Sequence, residues 1–257
     1  MAAFNEKQQV PSFEGEVVVV TGGGSGIGAA TCRVLLAAAA QAVYSLDIKQ
    51  DEDQPYVKHI NCDVSCTVAL QNAVTKIVSE QGRIDHLITS AGVWSGGDIK
   101  SVSEFEFDRV VGVNIKGVFF VVQSVLPTML KQKSGSIVIV GSDQSFIGKE
   151  NQQLYGLTKA AVAQFSKSLA IQYAKAGIRV NCICPGTIDT PLVDRAVGIL
   201  SLSTDVDEAT MKEQLNHAQP YPRIGNPAEV AHAIAFMSKI PFIVGAQLSI
   251  DGGYVAQ

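Results

Sequence analysis

Two side chains four residues apart, Tyr155 and Lys159, could together move a proton. Positions i and i+4 of a helix share a face, so a phenol and an ammonium group would stand side by side. A phenol with a pKa near ~10 is a poor base at neutral pH. A lysine charge at ~5 Å, with an effective dielectric constant of ~20, favours the phenolate by about 3 kcal/mol, or roughly two pK units. We therefore expect Tyr155 to act as a general acid and base, with Ser142 nearby at the end of the preceding predicted strand.

A glycine-rich turn, TGGGSGIG at residues 21–28, could hold a dinucleotide. It follows an apolar run typical of a buried strand and opens a helical pattern, with Gly22, Gly26 and Gly28 in G-x-x-x-G-x-G spacing. Glycines let the backbone approach a pyrophosphate closely, and the phosphates then rest on the helix N-terminus. A glycine-rich turn without a ligand has the same pattern, so the flanking strand and helix carry the prediction.

Two acidic residues follow the next predicted strands. Asp47 ends the second strand, where a carboxylate would accept hydrogen bonds from adenosine ribose hydroxyls and repel a 2′-phosphate. Ser25 is neutral and does not offset that charge, so NAD(H) is favoured over NADP(H), although Lys49 is nearby. Asp63 follows the third strand, where it would contact adenine or, alternatively, cap the next helix.

The loop between Ser142 and Tyr155 is expected to line the substrate site. It carries Gln144, Lys149 and Gln152, and Trp94 could form a wall from another turn. Lys149 could pair with a carboxylate. These residues favour a small hydroxylated or acidic substrate, although polar side chains on a loop are also explained by solvation alone.

Elements that could position these residues alternate along the chain. Short β-branched runs at 16–21, 42–47, 56–63, 85–92, 135–142, 178–186 and 245–253 predict strands. Helical patterns occupy 26–40, 67–81, 103–113, 115–131, 153–175 and 226–238. Alternation of this kind predicts one α/β domain over 1–257, a Rossmann-type doubly wound parallel sheet with helices on both faces. The irregular segment 191–225 is expected to be a substrate lid with helices of its own.

Composition excludes several classes of protein. The 257 residues are 47% hydrophobic and 17% charged, with a net charge of -4, so the chain can bury a large core and offers no basic patch for nucleic acid or a membrane surface. The N-terminal residues have no apolar core of signal-peptide length, so a cytoplasmic location is expected. Five cysteines without a C-x-x-C pair indicate buried free thiols, and four histidines without ligand spacing indicate no metal site.

Together these motifs resemble the classical short-chain dehydrogenases/reductases. The matching pieces are TGGGSGIG, Asp63, Ala91-Gly92, Asn114, Ser142, YGLTK at 155–159, Pro185-Gly186-Thr187 and Asp251-Gly252-Gly253. The resemblance runs from about residue 14 to the end, and the 143–154 segment is also similar to that of sugar-acid dehydrogenases.

The resemblance implies a role for each matching residue. Tyr155 would be the general acid/base, Lys159 would bind the nicotinamide ribose and lower the pKa of Tyr155, Ser142 would bind the substrate oxygen, and Asn114 would hold a relay water. Thr187 would contact the nicotinamide amide. The cofactor-binding residues expected from the sequence and the resemblance are Gly22, Ser25, Gly26, Ile27, Gly28, Asp47, Asp63, Val64, Ala91, Gly92, Tyr155, Lys159, Pro185, Gly186, Thr187 and Ile188. The expected substrate residues are Trp94, Gln144, Lys149 and Gln152.

Two positions depart from the family pattern. Ser90 stands where the family usually has Asn, and the first helix ends in alanines over 37–40 where a glycine is usual. We expect the first to change local packing and the second to alter the helix C-cap.

The expected function is that of an NAD(H)-dependent oxidoreductase that interconverts a secondary alcohol and a ketone on a small polar substrate (a hydroxy acid, sugar or sugar acid) and assembles as a homotetramer. An NADPH-dependent 3-oxoacyl-type reductase and a nucleotide-sensing binding protein on the same fold are the alternatives.

Overall fold

The valines after residue 16 form the first strand of a sheet, because β-branched side chains suit a strand buried on both faces. Every residue of this strand is buried. The computed structural model describes residues 10–51, 53–204 and 206–257, and all seven of its strands join one sheet. The strands are β1 (Val17–Thr21), β2 (Ala42–Asp47), β3 (Lys58–Asn61), β4 (His86–Thr89), β5 (Gly135–Val140), β6 (Ile178–Pro185) and β7 (Gln247–Ile250).

The sheet has the order β3-β2-β1-β4-β5-β6-β7, and every neighbouring pair is parallel. The direction of winding reverses between β1 and β4, which is where such sheets bind ligands. Thr21 pairs with Leu46 of β2 and with Thr89 of β4, so Asp47 and Ser90 follow at the same edge of the sheet. The predicted Rossmann-type α/β fold is confirmed.

Helices cover both faces of this sheet. They are α1 (Gly26–Ala37), α2 (Thr67–Gln81), α3 (Glu104–Val111), α4 (Val118–Gln132), α5 (Gln153–Tyr173), α6 (Pro191–Ser203), α7 (Glu208–His217) and α8 (Pro227–Lys239). One apolar cluster joins Val18 and Val20 of β1 to α1 and α8. The other joins Val17 and Val19 to α2, α4 and α5. The segment 191–225 contains α6 and α7, and its role as a substrate lid stays a prediction.

The two helical stretches predicted at 103–113 and 115–131 are one continuous helical run. A π-helical segment, Gly112–Gly117, joins α3 to α4 without a break. Gly112 keeps helical angles (φ -56°, ψ -46°), so it does not end the helix. π-helical turns often lie at functional sites, and this one carries Asn114.

The run Glu104–Gln132 is also long and apolar enough to cross a membrane, judged by its length and composition alone. Its apolar face, including Val118, Val121 and Val125, packs in the core under the sheet. Core packing therefore accounts for this buried part of the apolar composition of the helix.

The end of α1 shows the consequence of the missing glycine. Ala39 has φ 66° in the turn after the helix, in the left-handed region that glycine enters freely. A residue with a Cβ pays roughly 1–2 kcal/mol for that conformation. The chain therefore keeps the helix end with alanine at a local energetic cost.

The cysteines are free, as the sequence predicted, but Cys66 is exposed at the start of α2. Cys32, Cys62, Cys182 and Cys184 are buried. Burial raises the pKa of Cys32 to about 12 and that of Cys62 to about 11, which keeps both thiols protonated.

Candidate active site

A cleft opens at the carboxyl ends of the strands, beside the point where the sheet changes winding direction. Its walls contain Gly22, Ser25, Gly26, Ile27, Asp47, Lys49, Asp63, Val64, Ala91, Gly92, Ser142, Tyr155, Lys159, Pro185, Gly186 and Ile188. The structure thus brings the predicted glycine loop, the acid after β2 and the predicted proton-transfer residues to one cleft.

The loop between β1 and α1 forms the floor of the cleft. Gly22 has φ 72°, and a Cβ built on it would lie 2.6 Å from the backbone of Ala91. Gly28, behind it, packs directly on Gly22, because a Cβ there would lie 2.0 Å from the Gly22 carbonyl oxygen. Side chains are excluded at both positions, so the turn is tight enough for the close approach that a dinucleotide pyrophosphate needs.

Asp47 faces this loop from the end of β2. Its carboxylate accepts hydrogen bonds from the backbone N–H of Gly24 (2.9 Å) and of Lys49 (3.0 Å). These bonds fix the carboxylate at the wall of the cleft, and its two oxygens have further lone pairs for ribose hydroxyls. Asp63 also lines the cleft, but its side chain binds Ser65 in a turn and does not cap α2.

At the other end of the cleft, Tyr155 and Lys159 lie on the first turns of α5. The Lys159 ammonium is 5.6 Å from the centre of the Tyr155 ring and donates a 2.9 Å hydrogen bond to the Val140 carbonyl oxygen. Ser142 follows that carbonyl by two residues, and its hydroxyl, which donates a 2.7 Å hydrogen bond to Asp143, lies close enough to the Tyr155 side chain to lower its pKa. The end of β5 and the start of α5 therefore hold the three groups together.

Burial dominates the acid–base properties of this pair. It lowers the pKa of Lys159 to about 8. It raises the pKa of Tyr155 above its ordinary value, the negative charge of Asp143 raises it further, and the hydrogen bond with Ser142 lowers it in part. The lowered Tyr155 pKa that the sequence suggested is not found in the site as described, because desolvation of the phenolate outweighs the neighbouring ammonium.

Asn114, in the π-helical segment, ties two walls of the cleft together. Its side-chain oxygen accepts from the Val93 N–H at 2.9 Å, while its amide group donates to the Val93 carbonyl (2.9 Å) and to the Thr158 hydroxyl (3.1 Å). Only 2% of Asn114 is exposed. It therefore fixes the loop after β4 against α5, close to Lys159.

The four predicted substrate residues do not line this cleft. They form a polar cluster that adjoins the cleft at Ser142 and Tyr155. Gln152 accepts hydrogen bonds from the Trp94 indole (3.1 Å) and from the Gln144 amide (2.5 Å). Lys149 is paired with Asp143 at 2.6 Å and stands 4.3 Å above the Tyr254 ring, so it does not offer a free charge to a carboxylate as expected.

The expectation for Thr187 also needs correction. Thr187 borders a second cavity with Gln219 and Asp251, and its carbonyl accepts a hydrogen bond from the Gly225 N–H, whereas its neighbours Gly186 and Ile188 line the cleft. Thr190, Leu192 and Arg195, which the sequence analysis missed, line the cleft instead. The signal was the Thr190-Pro191 pair, a usual start for a helix, directly after Pro185-Gly186.

In the described part of the chain, no three or more His, Cys, Asp or Glu side chains converge as a metal site.

Comparison with known proteins shows which family has this arrangement of residues. The family model for short chain dehydrogenases matches residues 16–197. The chain belongs to the short-chain dehydrogenase family. Its members are oxidoreductases that act on CH–OH groups with a nicotinamide cofactor.

Similar proteins span several activities within the family. A 3-oxoacyl-[acyl-carrier-protein] reductase of Thermotoga maritima is 34% identical, covering 95% of this chain and 99% of that protein. The L-fucose dehydrogenase of Mus musculus is also 34% identical, covering 95% and 90%. The ligand-free structure of an aldohexose dehydrogenase from Thermoplasma acidophilum has a TM-score of 0.90 at 34% identity, covering 97% of each chain. Identity alone therefore does not choose a substrate.

The buried lysine generates a prediction about stability. The pKa of Lys159 falls from 10.5 to about 8 on folding, so protonation favours the unfolded chain. Replacing Lys159 by Met should raise the free energy of unfolding by about 1–3 kcal/mol at pH 7, after the lost hydrogen bond to Val140 is counted. Urea unfolding of the cofactor-free protein measures this difference.

The stability gain of Lys159→Met depends on pH, because only the protonated lysine is costly to bury. The gain is full below pH 8 and disappears as the pH rises to 10.5, where the lysine is neutral in both states. Lys167→Met, at an exposed position of α5, is the control and should change stability by less than ~0.5 kcal/mol. A Lys159→Met protein less stable than the wild type at pH 7 would contradict this account.

Proposed function

We propose that the protein is an NAD(H)-dependent oxidoreductase that interconverts a secondary alcohol and a ketone on a small polar substrate, a hydroxy acid, sugar or sugar acid. The observation that carries this proposal is the buried Lys159 beside Tyr155 and Ser142, at one end of a cleft whose other end holds the glycine loop and Asp47. A binding protein would not need a buried ammonium beside a phenol.

The proton is handled by Tyr155. In the oxidation direction, the Tyr155 phenol first releases its own proton toward solvent, and the phenolate then accepts the proton of the substrate hydroxyl while Ser142 hydrogen-bonds the substrate oxygen. Lys159 holds a positive charge near the phenol and can bind ribose hydroxyls. Asn114 keeps the loop after β4 in place and is the residue at which a relay water would bind. A bound NAD supplies the hydride acceptor.

The residues of the cleft fit a dinucleotide. The turn at Gly22 leaves the backbone accessible to a pyrophosphate, and the N-terminus of α1 follows it directly. Asp47 favours NAD, since its charge would repel a 2′-phosphate, and Ser25 provides no compensating cation. Two cations, Lys49 and Arg195, also line the cleft, and Lys49, two residues after Asp47, is the one whose charge would favour NADP.

Two other functions remain as alternatives. A 3-oxoacyl-type reductase would use NADPH and would need a basic surface for its acidic carrier, against which Asp47 and the net charge of -4 both argue. A nucleotide sensor on the same fold is disfavoured because Ser142, Tyr155 and Lys159 are all present and lie together.

We further propose a homotetramer in the cytoplasm. The helices α3 to α5 present exposed apolar side chains, including Phe105 and Ile171, and Phe119 stacks on Phe165 at 5.3 Å between ring centres. Such a surface on two neighbouring long helices suits contact with a second copy of the chain.

The function is tested by NADH formation across hydroxy acids, sugars, sugar acids, polyols and simple secondary alcohols. Tyr155→Phe should lower kcat by about 10²–10⁴ because the proton-transfer group is lost, while NADH still binds. Tyr173→Phe, on the same helix away from the cleft, is the control and should leave kcat unchanged. Turnover that survives in Tyr155→Phe, or tight NADH binding without turnover of any substrate, would move the assignment to another mechanism or to sensing.

The cofactor preference is tested at Asp47. Asp47→Ala should narrow the ratio of NAD to NADP affinity by about tenfold or more. The carboxylate repels the 2′-phosphate of NADP, and removing that repulsion should favour NADP by at least ~1.4 kcal/mol. Fluorescence titration with NADH and NADPH measures both affinities. Asp53→Ala, exposed on the following loop, is the matched control. An unchanged ratio would refute the role of Asp47.

A further inference from the structure

A chain of three side chains beside Tyr155 has a fixed hydrogen-bond direction. The Trp94 indole N–H can only donate, and it donates to Gln152 at 3.1 Å. The acceptor on Gln152 must therefore be its oxygen, which also accepts from the nitrogen of Gln144 at 2.5 Å. The side-chain nitrogen of Gln144 therefore donates to Gln152, and the side-chain oxygen of Gln144, Oε1, remains available as an acceptor.

That oxygen has no donor in the described part of the chain. Gln144 is only 4% exposed, and its Oε1 is buried without a hydrogen bond. A buried amide oxygen without a partner is costly, so the site favours a group that brings an O–H or N–H. A carboxylate offers only acceptors and cannot satisfy it.

The oxygen lies next to the predicted reaction centre. Gln144 follows Ser142 by two residues, and a Cβ built on Gly156 would lie 3.1 Å from its Oε1. Gly156 is the residue after Tyr155. The oxygen is enclosed in the structure without substrate, and a substrate held at Tyr155 and extending over Gly156 would approach it.

The charges beside this chain cancel each other. Asp143 accepts hydrogen bonds from the Ser142 hydroxyl and the Gln144 N–H, both at 2.7 Å, and pairs with Lys149 at 2.6 Å. Asp143 and Lys149 are 5% and 21% exposed at their side chains. The lysine charge is used internally, and the nearest charge to Ser142 is negative. A substrate carboxylate would meet no free cation there.

We propose that Trp94, Gln152 and Gln144, with the Asp143–Lys149 pair beside them, form a subsite for an uncharged polyhydroxylated substrate, a sugar or a polyol, and that they disfavour carboxylates. A substrate hydroxyl donates to Gln144 Oε1, and Trp94 sets the orientation of both amides. This inference rests on the proposed dehydrogenase function and narrows its substrate class from hydroxy acid, sugar or sugar acid to the neutral members.

The single tryptophan of the chain makes binding directly observable. Trp94 is the only source of tryptophan emission, so its fluorescence reports occupancy of this subsite without any turnover. We would titrate the NAD-loaded protein with matched pairs, D-glucose and D-gluconate, D-galactose and D-galactonate, and L-fucose and L-fuconate. At least one sugar should bind saturably, about tenfold or more tighter than its acid, because the carboxylate of the acid would be desolvated there without a free cation to pair with.

Substitutions separate the two parts of the subsite. Gln144→Leu removes the acceptor, and Gly156→Ala crowds it while favouring the helix. Each should raise the dissociation constant and KM for the sugar by about tenfold, with kcat changed less. Gln164→Leu, exposed on the same helix, is the control and should match the wild type. Asp143→Asn frees the Lys149 charge and should shift the sugar-to-acid affinity ratio toward the acid by about tenfold.

The outcomes distinguish this inference from the function on which it rests. An acid that binds as tightly as its sugar would overturn the subsite. So would a Gln144→Leu protein that binds the sugar like the wild type, since that result would mean that water, and not the substrate, satisfies Gln144 Oε1 in the wild type. Oxidation of a hydroxy acid with no response to any sugar would overturn it too, while the dehydrogenase function stands. Sugar binding seen by Trp94 without NADH formation would support the subsite and overturn the dehydrogenase.

Discussion

An ammonium group buried at the carboxyl edge of the sheet is the constraint on which the site depends. Lys159 has one hydrogen bond, to the Val140 carbonyl at the end of β5, and burial lowers its pKa to about 8. Such a charge is costly, and it lies where β5, α5 and the loop that Asn114 fixes come together, with Gly92 next to the ammonium. Each of these elements also holds a neighbour that the reaction needs: Ser142 follows β5, Tyr155 shares α5, and Asn114 fixes the loop that carries Gly92. Burying the Lys159 ammonium therefore lowers the free energy of unfolding at the place where the chemistry is proposed to occur.

Electrostatics divide the site into two parts with different purposes. Around Tyr155, burial and the Asp143 charge both raise the pKa of the phenol, so a proton is held there in the described state. Around Gln144, the Asp143–Lys149 pair is neutral as a unit, and the orientation of two amides is set by one indole N–H. Asp143 belongs to both parts, since it binds the Ser142 hydroxyl as well as Lys149. A change at Asp143 is therefore expected to alter proton transfer and substrate choice together.

The fold was predictable because its signals are local. The valines of β1, the glycine turn at Gly22 and the Asn226-Pro227 start of α8 each specify their own conformation, and alternation of strands and helices does the rest. What could not be predicted depends on contacts between distant residues. α3 and α4 are connected by a π-helical segment, and no single residue type predicts such a segment. Lys149 was expected to pair with a substrate carboxylate, but it pairs with Asp143. Thr187 was expected to contact the nicotinamide amide, but it borders the second cavity. Both outcomes depend on tertiary contacts that a local sequence pattern does not contain.

We propose that Tyr155 stays protonated while the cleft holds no cofactor and that its pKa falls when a cationic nicotinamide ring lies beside it. A positive charge at ~5 Å, with an effective dielectric constant of ~20, should lower the pKa of Tyr155 by roughly two units. The direct measurement is NMR of protein labelled with ¹³C at tyrosine Cζ, with the Tyr155 signal assigned by Tyr155→Phe and followed with pH. The account predicts a phenol signal that does not titrate up to pH 10 without cofactor, and a midpoint that falls when NAD is added but much less when NADH is added. A midpoint that is the same with and without NAD would contradict it.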